Sequence, residues 1–422
     1  MTASATSAGR LRELVSPLGG LVTRVRQVPG QASPICTADL GDLSAALPHV
    51  PVGGDPISGA GGGTDPELAA TVAIAEALER YCACVYDARQ FRWASAAELG
   101  TGALDLDTVP RCSPAELAHP ACPVTAPDRS APIRWVRGLD LHTGEPRWIP
   151  AVLVYLHLPP RVPAERFALP ISTGCAAHPD LATALTRAAC EVIERDALTL
   201  TWYQRLALPR LTGLPAVAAG DPAGTAALFD ATTDLGVPTV YGVDVAPGDP
   251  AVRTVVACAT DLDPERAVGK VRRELAAARL ALAGAPPSAE DPDAFGAVCD
   301  GAAYMARPER AGAFDFLLGS PGRRALADLP RLARDEPAAE LRLVLDRLAA
   351  AGYRAFAVDL TTDEAARVGM HVVRVVVPGL QPLSFSFRAR YLGHPRLYEA
   401  PPRMGHPAAP ESGITPWPQP FA

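Results

Sequence analysis

The sequence predicts a mixed helix-and-strand fold, α/β or α+β, on three observations. Long segments with helix-start signals alternate with short runs rich in Val and Ile. Glycine-containing turns stand ahead of two of the long segments. The chain has 422 residues, 48% apolar and 20% charged, enough for a large core or two to three packed subdomains.

The elements follow in order. Residues 1–10 are small and polar and are expected to fray as a disordered N-terminus. Globular patterning begins near Leu11. Gly59 to Gly63 reads as a glycine-rich loop leading into Thr64-Asp65-Pro66-Glu67. Asp65 is a candidate N-cap there, and Pro66 suits a first helical position. The first helix then runs through Leu68, Val72, Ala75 and Leu78 to about Tyr86. A second turn, Ser172-Thr173-Gly174, precedes a second helix over about 180–203, and a third helix covers 264–283. Strands are expected over 148–156, 239–245, 254–259, 353–360 and 371–377. Loops rich in Pro, Gly and Asp fall near 209–224, 284–294 and 319–337. The stretch 400–422 holds Pro401, Pro402, Pro407, Pro410, Pro416, Pro418 and Pro420. It is expected to form neither helix nor strand and to run as extended polyproline.

Composition narrows the function classes. A net charge of −7 with no basic run argues against nucleic acid as a partner. The start lacks a charged segment followed by an apolar run, and no uncharged apolar stretch is long enough for a membrane span. A cytoplasmic location is therefore expected. None of the nine Cys forms the paired CxxC elements of a zinc site, and Cys82 and Cys84 read as core thiols. Free thiols fit a reducing compartment. There are 38 Arg and a single Lys, Lys270.

One pattern carries chemistry. Glu76-Ala77-Leu78-Glu79-Arg80 in the first helix repeats as Glu191-Val192-Ile193-Glu194-Arg195 in the second. Residues three apart share a helix face, so each helix presents two carboxylates side by side amid apolar neighbours. Such carboxylates are unfavourable unless they meet cations. Either each pair is a solvated Glu–Arg face, or the two pairs form one site. Two copies, each following a glycine turn, favour the second. Four carboxylates are hard oxygen ligands that suit Mg²⁺, which commonly accompanies phosphate. No Gly-Lys-Ser/Thr follows the glycine-rich segment, so a Walker A loop is excluded. Lys270 and Glu274 lie four apart on the third helix; they either add to the pocket or form a surface pair.

These features resemble the YcaO family along nearly the whole chain. The matching stretches are 16–20, Ala75 to Tyr81, 172–177, 191–197, 358–362, 377–383 and 390–397. The resemblance implies an α+β fold of YcaO type, with mixed sheets and helices surrounding an ATP/Mg site. It implies one domain over 11–399 and a Pro-rich tail over 400–422 that reaches the active site. Its metal ligands would be Glu76, Glu79, Glu191 and Glu194. Its ATP-binding residues would be Ser16, Glu76, Arg80, Ser172, Glu191, Arg195, Lys270 and Glu274.

The activity implied is ATP-dependent cyclodehydration of a ribosomally made precursor peptide, giving thiazolines or oxazolines from Cys, Ser or Thr. Family cyclodehydratases end in Pro-x-Pro-x-Pro with a catalytic terminal carboxylate. Pro418, Pro420 and Ala422 fit that pattern with the last Pro replaced; Pro416, Pro418 and Pro420 fit it displaced by two. The implied partners are the precursor peptide, a separate leader-peptide-binding protein of ubiquitin-activating-like type and a second copy of the chain. Thioamide or amidine formation, or a non-catalytic scaffold role, is compatible with the same resemblance. The family's usual polar residues are replaced at Val72, Thr173, Pro179, Thr183 and Ala277.

Overall fold

The structure is a computed structural model that describes residues 9–29, 34–51, 57–216, 226–285 and 288–421. The expectation of a frayed start, apart from Gly9 and Arg10, lies outside these residues, as does Ala422.

Three sheets form the frame. The first is antiparallel, in the order β1 (Arg24–Gln27), β2 (Ile35–Asp39), β3 (Ser58–Gly62). The second contains β8 (Arg210–Thr212), β9 (Ala227–Asp230), β10 (Thr239–Val245), β11 (Thr254–Thr260) and β12 (Arg323–Ala325), in the order β11-β10-β9-β8-β12. Only its β8–β12 pair is parallel. The third sheet runs β4 (Arg92–Ala94), β5 (Ile133–Asp140), β13 (Phe356–Asp359), β14 (His371–Val376), β7 (Cys175–His178), with β6 (Pro146–Pro150) paired to β5. Among the described residues five helices reach eight residues or more: α1 (Pro66–Cys84), α2 (Leu181–Tyr203), α3 (Pro264–Ala283), α4 (Pro337–Ala350) and α5 (Arg396–Arg403). The class is α+β, and the sheets are mixed.

Local chemistry explains the helix starts. Asp65, Asp180 and Asp263 each accept a backbone N–H of the first turn at 2.7–2.9 Å. The stretch 59–63 is a strand, β3, rather than a loop. Its glycines are required because α1 lies directly on it. A Cβ at Gly59 would meet the backbone of Ala73 and Ala77, and one at Gly61 that of Ala69 and Ala73. The expected strand 148–156 ends at Pro150 and continues as a 3₁₀ turn, Ala151–Leu153. The proline-rich stretch also departs from expectation, because α5 includes Pro401 and Pro402. Met404, Gly405 and His406 donate back to the carbonyls of Ala400 to Pro402, and Leu397, Ala400 and Pro401 are buried. The turn thus survives two missing N–H donors.

These packings position the site. α1 and α2 both lie on β7, and α3 packs on β10 and β11, which α2 also contacts. The carboxylate faces of three helices are thereby brought to one region.

Candidate active site

On α1, Glu76 Oε2 accepts the N–H of Ala60 at 2.8 Å, and Oε1 accepts from Arg80 at 2.6 Å. Arg80 also donates to the carbonyl of Ser58. Glu76 and Arg80 thus tie helix to strand. Glu79 has no hydrogen bond among the described residues. Burial raises its carboxyl well above the usual range, Glu191 and Glu76 raise it further, and Arg80 and Arg374 oppose them. Carboxylates of both helices are thus near enough to act on the Glu79 charge.

On α2, Glu191 Oε2 accepts the N–H of Gly174 at 3.0 Å. That residue adopts φ +85°, and a Cβ there would strike the carbonyl of Val375, so only glycine fits the turn. Glu191 also pairs with Arg195 at 3.3 Å. Glu194 is 1% exposed. It accepts the N–H of Thr260 at 3.0 Å and Lys270 Nζ at 2.9 Å. Its other oxygen has no hydrogen-bond partner.

The third helix completes the cluster. Lys270 reaches Glu274 at 3.6 Å. Partial burial works against the Lys270 charge, but Glu194 and then Glu274 more than offset it, so its pKa stands above the ordinary value. Lys270 is therefore no surface substitution; it bridges α3 to α2. Burial pushes Glu274 up to about 7, helped by Glu194 and Glu191 and opposed by Lys270 and Arg195. One Glu274 oxygen is also unpaired. Arg195 is held charged by Glu194, Glu191 and Glu274 despite its burial.

Five carboxylates and three cations thus form one cluster on α1, α2 and α3. Oxygens of Glu194 and Glu274 are unpaired, and Glu79 lacks a counter-ion in hydrogen-bond range, so the donor chemistry is of the hard-oxygen kind that suits a divalent cation. Among the described residues no three His, Cys, Asp or Glu side chains converge closely enough to hold a metal ion as they stand. Three of the carboxylates instead accept backbone N–H groups.

Other expected site residues lie differently. Ser16 makes local hydrogen bonds, its backbone to Val22 and Gly20 and its hydroxyl to the N–H of Leu18. These do not join it to the carboxylates. The carbonyl of Ser172 closes the glycine turn by accepting from Cys175. Pro418 accepts Trp202 Nε1 at 2.9 Å through its carbonyl, and Pro420 is buried beside Phe421, whose ring centroid lies 4.3 Å from the Arg195 guanidinium. Val72 is 40% exposed on α1, and Thr183 is engaged by the α2 cap Asp180 through both its N–H and its hydroxyl.

Sequence reasoning missed Arg374 and Gln381. Arg374 is buried in β14 and donates to the carbonyls of Leu153 and Ile171 at 3.1 and 2.6 Å. The signal for it was a lone charge inside a run of valines. Gln381 Oε1 is buried without a hydrogen-bond partner, while its side-chain Nε2 donates to the carbonyls of Arg390 and Tyr391. A cavity of about 100 Å³, open on one side, lies between them and the α2 face carrying Val192 and Arg195.

Comparison with known proteins decides the family. A family model described as YcaO cyclodehydratase, ATP- and Mg²⁺-binding, matches residues 60–381. The chain belongs to the YcaO family. YcaO proteins bind ATP and Mg²⁺, which accords with the carboxylate cluster. No curated protein sequence matches the chain significantly.

Among solved structures, a heterocyclase in complex with substrate and cofactor is 23% identical with a TM-score of 0.79; the match covers 99% of this chain and 57% of that one. YcaO from Methanopyrus kandleri bound with AMPPCP and Mg²⁺ is 21% identical with a TM-score of 0.64, covering 90% and 91%. The E. coli microcin synthetase McbBCD complex is 15% identical with a TM-score of 0.60, covering 86% and 90%. At these identities the likeness establishes the YcaO fold. The chain spans 57% of the length of the first heterocyclase and of a second, TruD. Among the described residues no helix is long and apolar enough to cross a membrane.

Proposed function

We propose that the chain is an ATP- and Mg²⁺-dependent cyclodehydratase acting on backbone amides of a ribosomally made precursor peptide. The observation that carries this reading is the cluster of Glu76, Glu79, Glu191, Glu194 and Glu274 with Arg195 and Lys270, beside an open cavity. In the reaction a Cys thiol, or a Ser or Thr hydroxyl, gives up its proton to solvent and adds to the preceding amide carbonyl. The resulting oxyanion takes the γ-phosphoryl group of ATP and releases ADP. Loss of phosphate and of the amide proton then leaves the C=N bond of the azoline. Mg²⁺ supplies neutralisation of phosphate charge, and the carboxylates of α1 and α2 are its proposed ligands. Arg195 and Lys270 add positive charge at the same cluster. Recruitment of the peptide falls to a separate leader-binding protein of ubiquitin-activating-like type; the McbBCD relative is likewise a complex.

The docking of 415–421 against α2 supports a place for this segment beside the site. Thr415 N–H donates to Tyr203, Trp202 donates to Pro418, and Phe421 covers Arg195.

The test reconstitutes the chain with its precursor peptide and partner and follows loss of water from the peptide together with ADP release. The expected result is one ADP for each ring formed, abolished in Glu79→Ala and in Glu194→Ala. Ring formation without ATP, or full activity in either variant, overturns the proposal.

A further inference from the structure

The open cavity is distinct from the carboxylate cluster yet shares a wall with it. Val192 and Arg195 face the cavity from α2, interleaved in sequence with Glu191 and Glu194. Arg374 of β14 also lines the cavity and is near enough to Glu79 to act on its charge. Thr173 reaches the cavity from the turn whose next residue, Gly174, binds Glu191. The remaining lining is overwhelmingly apolar and includes Phe167, Ala168, Val376 and Leu383. A group seated here adjoins the reacting centre without occupying it.

Polar residues in the cavity lining narrow the occupant. Gln381 is 1% exposed, and its Oε1 has no hydrogen-bond partner. Its amide orientation is fixed, because Nε2 donates to two backbone carbonyls at 3.2 and 3.3 Å. The oxygen is therefore a committed acceptor. Arg195 Nε and Nη1 are donors that also lack hydrogen-bond partners. Gln381 and Arg195 both line the cavity, and a polar side chain on each of two walls among apolar neighbours complements a peptide unit carrying an apolar side chain. A phosphate would leave most of the apolar lining without a counterpart. The volume sets the size. About 100 Å³ is smaller than the ~150 Å³ of an engineered cavity that accepts benzene, so a branched aliphatic group fits better than a ring.

We infer that this cavity is a specificity pocket for a branched aliphatic residue, Leu, Ile or Val, flanking the cyclised Cys, Ser or Thr of the precursor. The inference rests on the cyclodehydratase reading and adds the substrate class to it. Arg374 acts as a positioning residue here: it ties the Leu153 and Ile171 segments of the wall to β14.

The probes are N-acetyl-leucine N-methylamide and N-acetyl-alanine N-methylamide, titrated against the full chain by calorimetry without ATP. The leucine probe is expected to bind at least ~10-fold tighter, as apolar pockets discriminate missing methylenes. Ala168→Leu and Val376→Phe narrow the cavity from two different walls. In each variant that melts cooperatively the preference is expected to fall below about 3-fold, as the extra volume displaces the leucine side chain. Equal binding of the two probes to the wild type overturns the inference, as does an undiminished preference in a folded narrowed variant. ATP binding to the wild type is measured separately. Leucine preference without ATP binding sinks the cyclodehydratase reading and leaves the pocket standing; ATP binding without leucine preference sinks the pocket alone.

Discussion

Replacing Glu274 by Gln should stabilise the unliganded chain, although it removes a charge that faces a lysine. Glu274 is raised from 4.5 to about 7, chiefly by burial and also by Glu194. The linkage relation gives a ceiling of about 3 kcal/mol for that difference. The side chain is 35% exposed, so solvent screening reduces the effect to about 1–2 kcal/mol. The sign follows from proton uptake. Between pH 4.5 and 7 the folded chain holds a proton at Glu274 that the unfolded chain has lost, so this residue makes stability fall as pH rises. The penalty is absent below about pH 4.5 and complete above about pH 7. Lys270 keeps Glu194 at 2.9 Å in the variant, so no buried cation is stranded. The assay is thermal unfolding of both proteins from pH 4 to pH 8 at one scan rate; titrations common to both cancel in the difference. The variant should match the wild type at pH 4 and melt about 1–3 °C higher at pH 8. Saturating ATP and Mg²⁺ should reverse the order, because ligand binding stabilises only the protein that retains its site. A variant less stable than the wild type at pH 8, or a difference independent of pH, would refute the reasoning.

Two further outcomes test the frame around the site. Gly61→Ala puts a Cβ against the backbone of α1 and should cost about 3 kcal/mol or more, whereas Gly19→Ala, with open space around it, should be neutral in the same denaturant titration. Phe421→Ala removes an 8% exposed ring stacked on Arg195 and should destabilise by about 3 kcal/mol; unchanged unfolding would mean that 415–421 is not docked.

Much of the site was legible because its signals are local. Glu–x–x–Glu–Arg on a helix fixes two carboxylates on one face, and Asp65, Asp180 and Asp263 mark the helix starts by short-range capping. The third helix, Pro264–Ala283, and the strand Thr239–Val245 lie where periodicity and composition put them. What was not legible depends on distant packing. The glycines of β3 look like loop residues until α1 is seen lying on them. Lys270 looked equally like a surface residue, because Glu194 is 76 positions away in sequence. Pro401 and Pro402 sit in a helix because carbonyls ahead of and within the turn are bonded by later N–H groups, which composition does not reveal. The pocket of Arg374 and Gln381 is assembled from segments more than two hundred residues apart, so the lone charge among valines at Arg374 does not by itself reveal it.

The claim that the two Glu pairs build one nucleotide–metal site is tested most directly by a double-mutant cycle in Mg²⁺-dependent ATP binding. Glu79→Gln, Glu191→Gln and the double variant are titrated with ATP at fixed Mg²⁺. A shared site predicts strong coupling, with the double variant binding little worse than the poorer single variant and an interaction energy of about 1 kcal/mol or more. Losses that add within about 0.5 kcal/mol would mean that the pairs act independently and would contradict a shared site.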